Sequence, residues 1–457
     1  MERLSPLDAS FLHVEDDHNH MHIASVAIFE GPPPGPGEVL EMVRSKLHLV
    51  PRYRQKVRFV PFQMGRPVWV DDPHVNLDYH IRRTALPSPG GEAELRNLVG
   101  RVMSQQLDRA KPLWEMWIAE GLEDGRWAVL SKTHHCMVDG VSGTDLLTVV
   151  MDDSPKPFRA PPKRWEAEPE PTARQLLSQA LRERSTSPYE VVRSVRSALR
   201  APRRAAEQLR ELGSGFGSLA RLAVGAPATS LNGPIGPHRR WSWASTTLAD
   251  VKRIRTAHGG TVNDVVLAAI TRGFRELLLS RHEDVEGRVV RTLVPVSVRR
   301  AEERGTYNNR VSAMFAELPV GIDEPIGRLQ AVRAQMDELK ESRQAVAAEV
   351  LTSLSGFAPS LLLALGTRLF SRLPQRTVQT VTTNVPGPQH PLYACGRRMV
   401  SAYPYVPLGG SVRIGLAIFS YDGRLHFGAT GDYDTCPDLA VLCHGIEEGV
   451  EELHKRS

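Results

Sequence analysis

The sequence is poor in cysteine and has no long apolar run, and both absences narrow the class of protein. Its 457 residues include 4 cysteines, without a Cys-x-x-Cys pair or a metal-ligand spacing: Cys136, Cys395, Cys436 and Cys443. Such scarcity excludes a disulfide-bonded secreted scaffold and suits a reducing cytoplasm. No stretch reaches the roughly 18 to 20 uninterrupted apolar residues that a membrane span requires. Any contact with a membrane is therefore expected to be peripheral.

The N-terminus also lacks a targeting signal, because residues 1–8 contain no basic segment followed by an apolar run. We therefore expect a cytoplasmic protein, and peripheral association with the inner membrane or with lipid droplets stays open. The hydrophobic content of 41% and the charged content of 24% are typical of a soluble globular protein. A chain of this length is expected to form two or three domains.

The excess of positive charge lies in one segment, residues 153–240. This segment opens with six prolines between residues 155 and 171, which indicates a linker. Residues 156–240 contain 16 lysines and arginines against 7 acidic residues, so they more than account for the chain's net charge of +5. A helix is predicted over residues 173–212, and its apolar stripe either packs on the domains or docks on anionic lipid head groups. Because interleaved aromatic residues are few and no known nucleic-acid motif is found, a nucleic-acid partner is not expected.

Two adjacent histidines, His134 and His135, carry the clearest chemistry. Residues 126–131 alternate as a strand does and residues 141–150 suit a short helix, so the histidines lie where a strand ends. Successive side chains on a strand face opposite sides, and only one of the two can therefore face a given cavity. A neutral imidazole can take a proton from a hydroxyl, which makes that histidine a candidate general base.

The turn after the histidines contains Asp139 and Gly140. Asp139 is poorly placed to be a triad partner, and we expect it to fix the loop by capping the helix or by pairing with an arginine. Gly140 permits a backbone geometry that other residues resist. Cys136, inside the motif, is expected to pack rather than to act as a nucleophile.

Three further stretches allow a structural or a functional interpretation. Leu113 and Trp114, after Pro112, can be core residues or can line a substrate tunnel. Asn263 or Asp264 is expected to cap a helix that runs to about Ser280. The histidine-rich run over residues 16–22 could place imidazoles on one face of a strand, but it has no His-x-x-x-His pair, and we predict no metal site.

The spacing His134-His135-x-x-x-Asp139-Gly140 resembles the signature of the chloramphenicol-acetyltransferase-like superfamily of CoA- and carrier-dependent acyltransferases. Other stretches resemble the bacterial wax ester synthase/diacylglycerol acyltransferase family more specifically. They are the opening Ser5-Pro6-Leu7-Asp8, the Pro112-Leu113-Trp114 element, the Asn263-Asp264 element and the turn Asn384-Val385-Pro386-Gly387-Pro388.

The resemblance implies an α/β fold in which two sheet-and-helix domains face each other across a central channel. The domains would span residues 1–152 and 241–457, joined by the basic helical linker of residues 153–240. It also implies roles for the site residues. His135 is the general base, His134 supports it, and Asp139 with Gly140 is structural. The remaining residues frame the substrate: Pro112, Leu113 and Trp114 on the acyl side, and Asn263 and Asp264 in the active-site wall.

The implied reaction is the transfer of a long-chain acyl group from acyl-CoA to diacylglycerol, giving triacylglycerol, or to a long-chain alcohol, giving a wax ester. Acyl-CoA is the co-substrate, and no further cofactor or metal is expected. Two alternatives stay open. One is a carrier-protein-dependent acyltransferase or condensation-type enzyme of the same fold. The other is a non-catalytic lipid-binding protein, against which the intact His135 and Asp139 argue.

Overall fold

The computed structural model describes residues 2–137, 149–159, 165–183, 229–297, 311–341 and 378–457. Fifteen strands are found in these residues, and their bounds in chain order are β1 (Glu2–Arg3), β2 (His22–Phe29), β3 (Gln55–Arg58), β4 (Val68–Asp71), β5 (Ile81–Ala85), β6 (Trp114–Glu120), β7 (Trp127–His134), β8 (Arg239–Thr247), β9 (Val290–Ser297), β10 (Val311–Leu318), β11 (Thr380–Pro386), β12 (Tyr393–Ala394), β13 (Arg397–Tyr405), β14 (Ile414–Tyr421) and β15 (Arg424–Asp432). The elements form an α/β architecture, as predicted.

The α-helices cover the faces of the sheets. Their bounds are α1 (Pro6–Val14), α2 (Pro36–Lys46), α3 (Leu77–His80), α4 (Glu92–Met103), α5 (Leu248–His258), α6 (Val262–Ser280), α7 (Pro325–Glu341) and α8 (Leu439–His454). Residues 173–183 form a further helix, named the linker helix below. Short 3-10 turns are found at Leu47–Leu49, Pro51–Arg54, Pro61–Gln63, Glu123–Gly125 and His135–Met137.

The strands form two six-stranded sheets and one of three strands. The first sheet has the order β12-β13-β2-β7-β6-β5, the second β10-β9-β11-β14-β15-β8, and the third β1-β4-β3. The dipeptide Asp422-Gly423, between two strand-like stretches, predicts a hairpin. The structure confirms it: both residues have positive φ, at 42° and 79°, and they join β14 to β15.

The boundary between the two large sheets does not coincide with the boundary predicted at residue 240. Strand β13, near the C-terminus, pairs antiparallel with β2 and so extends the first sheet. This pairing covers the edge of β2 that β7 leaves free, and a covered edge offers no backbone groups to other chains. The last third of the chain therefore contributes to both sheets.

Two close backbone contacts join the halves of the molecule. Helix α4 packs on β8, and a Cβ atom at Gly100 would lie 2.6 Å from the carbonyl oxygen of Arg239. The amide of Arg239 donates to Ser104 Oγ at 2.9 Å. Helix α4 buries an apolar face of Leu95, Leu98, Val99, Val102 and Met103, spaced as helical periodicity requires. Trp241 and Trp243 of β8 belong to the same apolar cluster, so this contact is part of a core.

The linker helix packs on the three-stranded sheet. Leu176 and Ala180 are buried against Val60, Val68 and Val70. For these two side chains, the packing interpretation of the apolar stripe is confirmed. Leu181, the last apolar residue of the stripe, keeps 53% of its surface exposed. The rest of the predicted helix, from residue 184 to residue 212, lies outside the described residues.

Candidate active site

Strand β7 ends at His134, and His135 begins the 3-10 turn that follows. The amide of His134 donates to the carbonyl oxygen of Leu113 at 3.0 Å, and that of His135 donates to Met21 O at 2.8 Å. The strand end is therefore held from both sides, by the segment before β6 and by the segment before β2. His22, the first residue of β2, is the cross-strand partner of His134.

His135 is a partly exposed residue, and its ring stacks on the ring of Phe11. The two ring centroids are 4.1 Å apart, with 29° between the ring planes. His135 Nδ1 is buried, and it has no hydrogen-bond partner among the described residues. Burial lowers the pKa of His135 to about 4, so its imidazole is neutral near pH 7. A neutral imidazole is the form that can accept a proton.

The His134 ring is fully buried and makes different contacts. Its Nδ1 accepts a hydrogen bond from the amide of Cys136 at 3.1 Å, and its Nε2 lies 3.4 Å from the carboxylate of Glu15. Cys136 is buried in an apolar cluster with Met137, and burial raises the pKa of its thiol. A protonated, enclosed thiol is a poor nucleophile.

Asp139 and Gly140 lie outside the described residues, as do Arg299 and Arg310, which could pair with Asp139. Their predicted roles therefore stay predictions. Most of the short helix predicted over residues 141–150 lies outside as well, although residues 149 and 150 are helical.

The Pro112-Leu113-Trp114 element is buried beside the end of β7. Trp114 is the cross-strand partner of Thr133, its indole nitrogen donates to Tyr53 O at 3.0 Å, and its ring stacks on His80 at 4.4 Å. Leu113 and Trp114 belong to the same apolar cluster as Cys136 and Met137. These contacts are core packing next to the histidine motif, and the proposed contact with an acyl chain stays a prediction.

The Asn263-Asp264 element lies at the start of α6, where the cap differs from the predicted one. Thr261 is the N-cap, and Asp264 completes a capping box by accepting from the Thr261 amide at 2.7 Å. The sequence offered three polar residues within four positions, and periodicity alone did not single out the cap. Asn263 instead accepts a hydrogen bond from Asn384 Nδ2 at 3.3 Å.

The same hydrogen bond connects two stretches on which the resemblance rested. Asn384 and Pro386, predicted to lie in a turn, are still part of β11, and the chain turns after them. Val385, between them, packs against the apolar cluster that contains Cys136 and Met137. At the end of β11, close to the Asn263–Asn384 bond, the second sheet therefore reaches the apolar cluster to which Cys136 and Met137 belong.

The histidine-rich run is a tight loop followed by β2. Asp16 Oδ1 accepts from the amides of His18 and Asn19, and His20 Nε2 lies 3.0 Å from Asp17 O. Within the described ranges, no group of three or more histidine, cysteine, aspartate or glutamate side chains is arranged to hold a metal ion.

A cavity of about 510 Å³ lies between α2, α3 and the start of the linker. Its lining residues are Arg44, Leu47, His48, Arg54, Val75, Asn76, Leu77, Asp78 and Trp165. None of the predicted site residues lines it, so it is separate from the histidine motif.

Sequence reasoning missed Phe11, Glu15 and His22 as neighbours of the motif, and it missed Arg109 as the ion-pair partner of Glu15. Phe11 lies in the opening segment on which the resemblance rested, but nothing there indicated that its ring stacks on His135. Glu15 follows α1 and lies 119 positions before His134, and no local pattern signals a contact over that separation. The histidine-rich run was considered for metal binding alone.

The fold is that of a class of acyltransferases. It matches the solved structure of trichothecene 15-O-acetyltransferase from Fusarium sporotrichioides with a TM-score of 0.62 at 11% identity, over 99% of this chain and 94% of that one. The wax ester synthase/diacylglycerol acyltransferase from Marinobacter aquaeolei VT8 matches with a TM-score of 0.68 at 26% identity, over 99% of each chain. The predicted two-domain fold class is confirmed.

The family follows from two sequence matches. The model of the wax ester synthase/diacylglycerol acyltransferase catalytic domain matches residues 4–266, and that of the family's C-terminal domain matches residues 307–454. A protein of Mycobacterium tuberculosis named as a probable diacylglycerol O-acyltransferase is 38% identical over 99% of this chain and 96% of its own length. This chain belongs to the wax ester synthase/diacylglycerol acyltransferase family, and it is an acyltransferase.

Proposed function

We propose that this protein transfers a long-chain acyl group from acyl-CoA to the hydroxyl of diacylglycerol or of a long-chain alcohol, with His135 as the general base. The observation that carries the proposal is the position of His135, which is partly exposed, begins the turn after β7 and stacks on Phe11. Family membership supports the reaction type and the two kinds of acceptor. The thioester of acyl-CoA itself carries the acyl group, so no covalent acyl-enzyme intermediate is needed.

The proton moves at the Nε2 atom of His135, because its Nδ1 atom is buried. Nε2 takes the proton of the acceptor hydroxyl as the hydroxyl oxygen attacks the thioester carbonyl carbon. When the tetrahedral intermediate collapses, the carbon–sulfur bond breaks and Nε2 returns the proton to the departing CoA thiolate. The products are an ester and free CoA, and His135 ends the cycle neutral.

The experiment that tests the function measures free CoA released from palmitoyl-CoA, with hexadecanol and dioleoylglycerol as separate acceptors. Acceptor-dependent release together with formation of the matching ester supports the proposal, and the better acceptor defines the main product. If folded protein releases no CoA with either acceptor, the donor is a carrier-bound acyl group or the protein binds lipid without turnover.

The acid limb of the pH profile follows from the lowered pKa of His135. A general base works in its deprotonated form, so activity falls only as the pH approaches the pKa of the folded protein, about 4. We expect kcat/KM to change less than about twofold between pH 8 and pH 5.5, whereas a base with the ordinary pKa of about 6.5 would lose about tenfold. A midpoint near 6.5, in protein that circular dichroism shows to be folded, contradicts the lowered pKa of His135.

A lipid surface is the proposed place of action, because both kinds of acceptor are insoluble in water. None of the helices within the described ranges is long and apolar enough to cross a bilayer. Instead, large apolar side chains are exposed beside the three-stranded sheet: Phe59 at 41%, Phe62 at 84% and Leu181 at 53%. Aromatic and leucine side chains in such positions can insert into the interface of a lipid layer.

Replacing Phe62 by serine is therefore expected to weaken binding to vesicles of phosphatidylcholine and dioleoylglycerol by severalfold, measured by co-sedimentation. The matched control is Leu279→Ser, because Leu279 is 41% exposed but lies at the end of α6, on the second sheet. Equal vesicle binding by the Phe62 variant and the native protein would show that this surface is not the one that binds lipid.

A further inference from the structure

A buried carboxylate lies behind the histidine motif. Glu15 follows the last residue of α1, and its side chain is only 3% exposed. One of its oxygens lies 3.2 Å from His22 Nε2, and the other lies 3.4 Å from His134 Nε2 and 2.5 Å from Arg109 Nη2. Two imidazoles and one guanidinium therefore converge on a single carboxylate.

The charges within this cluster are balanced. Burial alone would raise the pKa of Glu15, but the contacts with His134 and His22 outweigh it and hold the pKa well below its usual range. Burial lowers the pKa of His22 to about 3, so that ring is neutral. The Arg109 guanidinium supplies the positive charge that the carboxylate needs. Glu15 is therefore an anion that faces a nitrogen atom of each histidine.

The hydrogen bond at the other side of the His134 ring assigns its tautomer. The amide of Cys136 donates to His134 Nδ1, so Nδ1 carries no hydrogen. In the neutral ring the hydrogen is then on Nε2, the atom that faces Glu15. A carboxylate at that position stabilises this tautomer, as carboxylates do behind histidines that must present one particular nitrogen.

The Cys136 amide belongs to the turn that carries the candidate base. His135 is the first residue of this turn and Cys136 is the second. The bond from Cys136 N to His134 Nδ1 fixes the turn to the end of β7, and Phe11 of α1 stacks on the other ring. Helix α1 contacts His135 through Phe11, and Glu15, the residue after the helix, contacts His134.

We infer that Glu15 is a positioning residue for acyl transfer: it holds His134 in the Nε2–H tautomer, and this tautomer fixes the turn that directs His135. The inference rests on the proposed function, since it concerns the base of that reaction. Glu15 acts through His134 and does not contact the substrate.

The first test is Glu15→Gln, which keeps the size of the side chain and removes its charge. We expect kcat with palmitoyl-CoA to fall by about 10- to 100-fold, because misplacing a reacting group by about 1 Å can cost about 100-fold. KM for palmitoyl-CoA should stay within about twofold, because Glu15 does not contact the substrate. The matched control is Glu452→Gln, which removes a carboxylate paired with Arg272 and Arg328 in the other half and should keep native kcat.

The second test separates the two nitrogens of His134. The amide oxygen of His134→Asn can take the place of Nδ1 and accept from Cys136, whereas the longer side chain of His134→Gln places its amide near Nε2. We expect the asparagine variant to retain at least severalfold more activity than the glutamine variant. Adding Glu15→Gln to His134→Asn should lower kcat by less than about twofold further, because the imidazole through which Glu15 acts is already absent. If Glu15→Gln lowers kcat as much in the His134→Asn background as in native protein, the inference is overturned.

Long-range ¹⁵N spectra of histidine-labelled protein read the tautomer directly, with His134→Asn providing the assignment. Native protein should show hydrogen on Nε2 of His134, and hydrogen on Nδ1 contradicts the inference. If Glu15→Gln fails to fold, the spectrum of native protein and the activities of the two His134 variants still test the inference. Activity retained in His135→Ala would overturn the assignment of His135 as the base in the proposed function, whereas full activity in Glu15→Gln beside an inactive His135→Ala overturns this inference alone.

Discussion

Replacing His135 by alanine is expected to lower kcat for acyl transfer by about 1,000-fold, within the roughly 10²- to 10⁴-fold that a positioned general base contributes. Without the imidazole, the acceptor hydroxyl must lose its proton to water, and the departing thiolate has no local acid. The measurement is acceptor-dependent CoA release at saturating palmitoyl-CoA. A variant that retains more than a tenth of native kcat contradicts the base assignment.

The loss should come from chemistry and not from unfolding. His135 is only partly buried, and a stacked aromatic pair such as His135 and Phe11 contributes about 0.5–1.5 kcal/mol. The variant should therefore stay folded at 25 °C, which thermal unfolding checks. The control is His444→Ala, because His444 is exposed on α8 and pairs with Glu448 one helical turn away. That variant should keep native activity.

Replacing Gly428 by alanine is expected to destabilise the protein by about 3 kcal/mol, a large effect for a single added methyl group. Gly428 lies in β15 of the second sheet, where a Cβ atom would come within 1.7 Å of the Pro404 carbonyl oxygen in β13 of the first sheet. Neither backbone can move alone, because both residues are paired with neighbouring strands. The Trp241 indole donates to the same oxygen at 3.2 Å, so this bond would be lost as well.

Denaturant unfolding measures this effect as a lower midpoint. Gly37→Ala is the matched control, because a Cβ atom at Gly37 meets nothing within 4 Å and the residue lies in helix α2. There the change should be within about 1 kcal/mol and toward greater stability, as alanine is the better helix former. Identical midpoints for Gly428→Ala and native protein would mean that the sheets do not meet as described.

The sequence predicted those features that depend on neighbouring residues. Strand β7 and the hairpin at Asp422 and Gly423 followed from periodicity and turn chemistry. The position of the histidines at a strand end followed from the same signals. The fold class and family required the resemblance, because periodicity shows which elements exist and not how they are arranged.

Features that depend on distant residues were not predictable in this way. Strand β13 has a strand-like pattern, but nothing in residues 397–405 indicates that it pairs with β2, more than 360 positions earlier. The contact between Glu15 and His134 is hidden for the same reason. The linker was predictable in part. Its positive charge follows from the sequence, whereas the burial of Leu176 and the exposure of Leu181 depend on the sheet that the linker helix contacts.

The central claim is that His135 acts as a base on the acceptor hydroxyl and not as a nucleophile that carries the acyl group. The most direct test is rapid mixing of protein with palmitoyl-CoA alone, followed by addition of hexadecanol or dioleoylglycerol. We predict no release of CoA before the acceptor is added, then CoA and ester in equal amounts, and neither product with His135→Ala. A burst of CoA equal to the protein concentration without acceptor, with palmitate attached to the chain, would contradict the account.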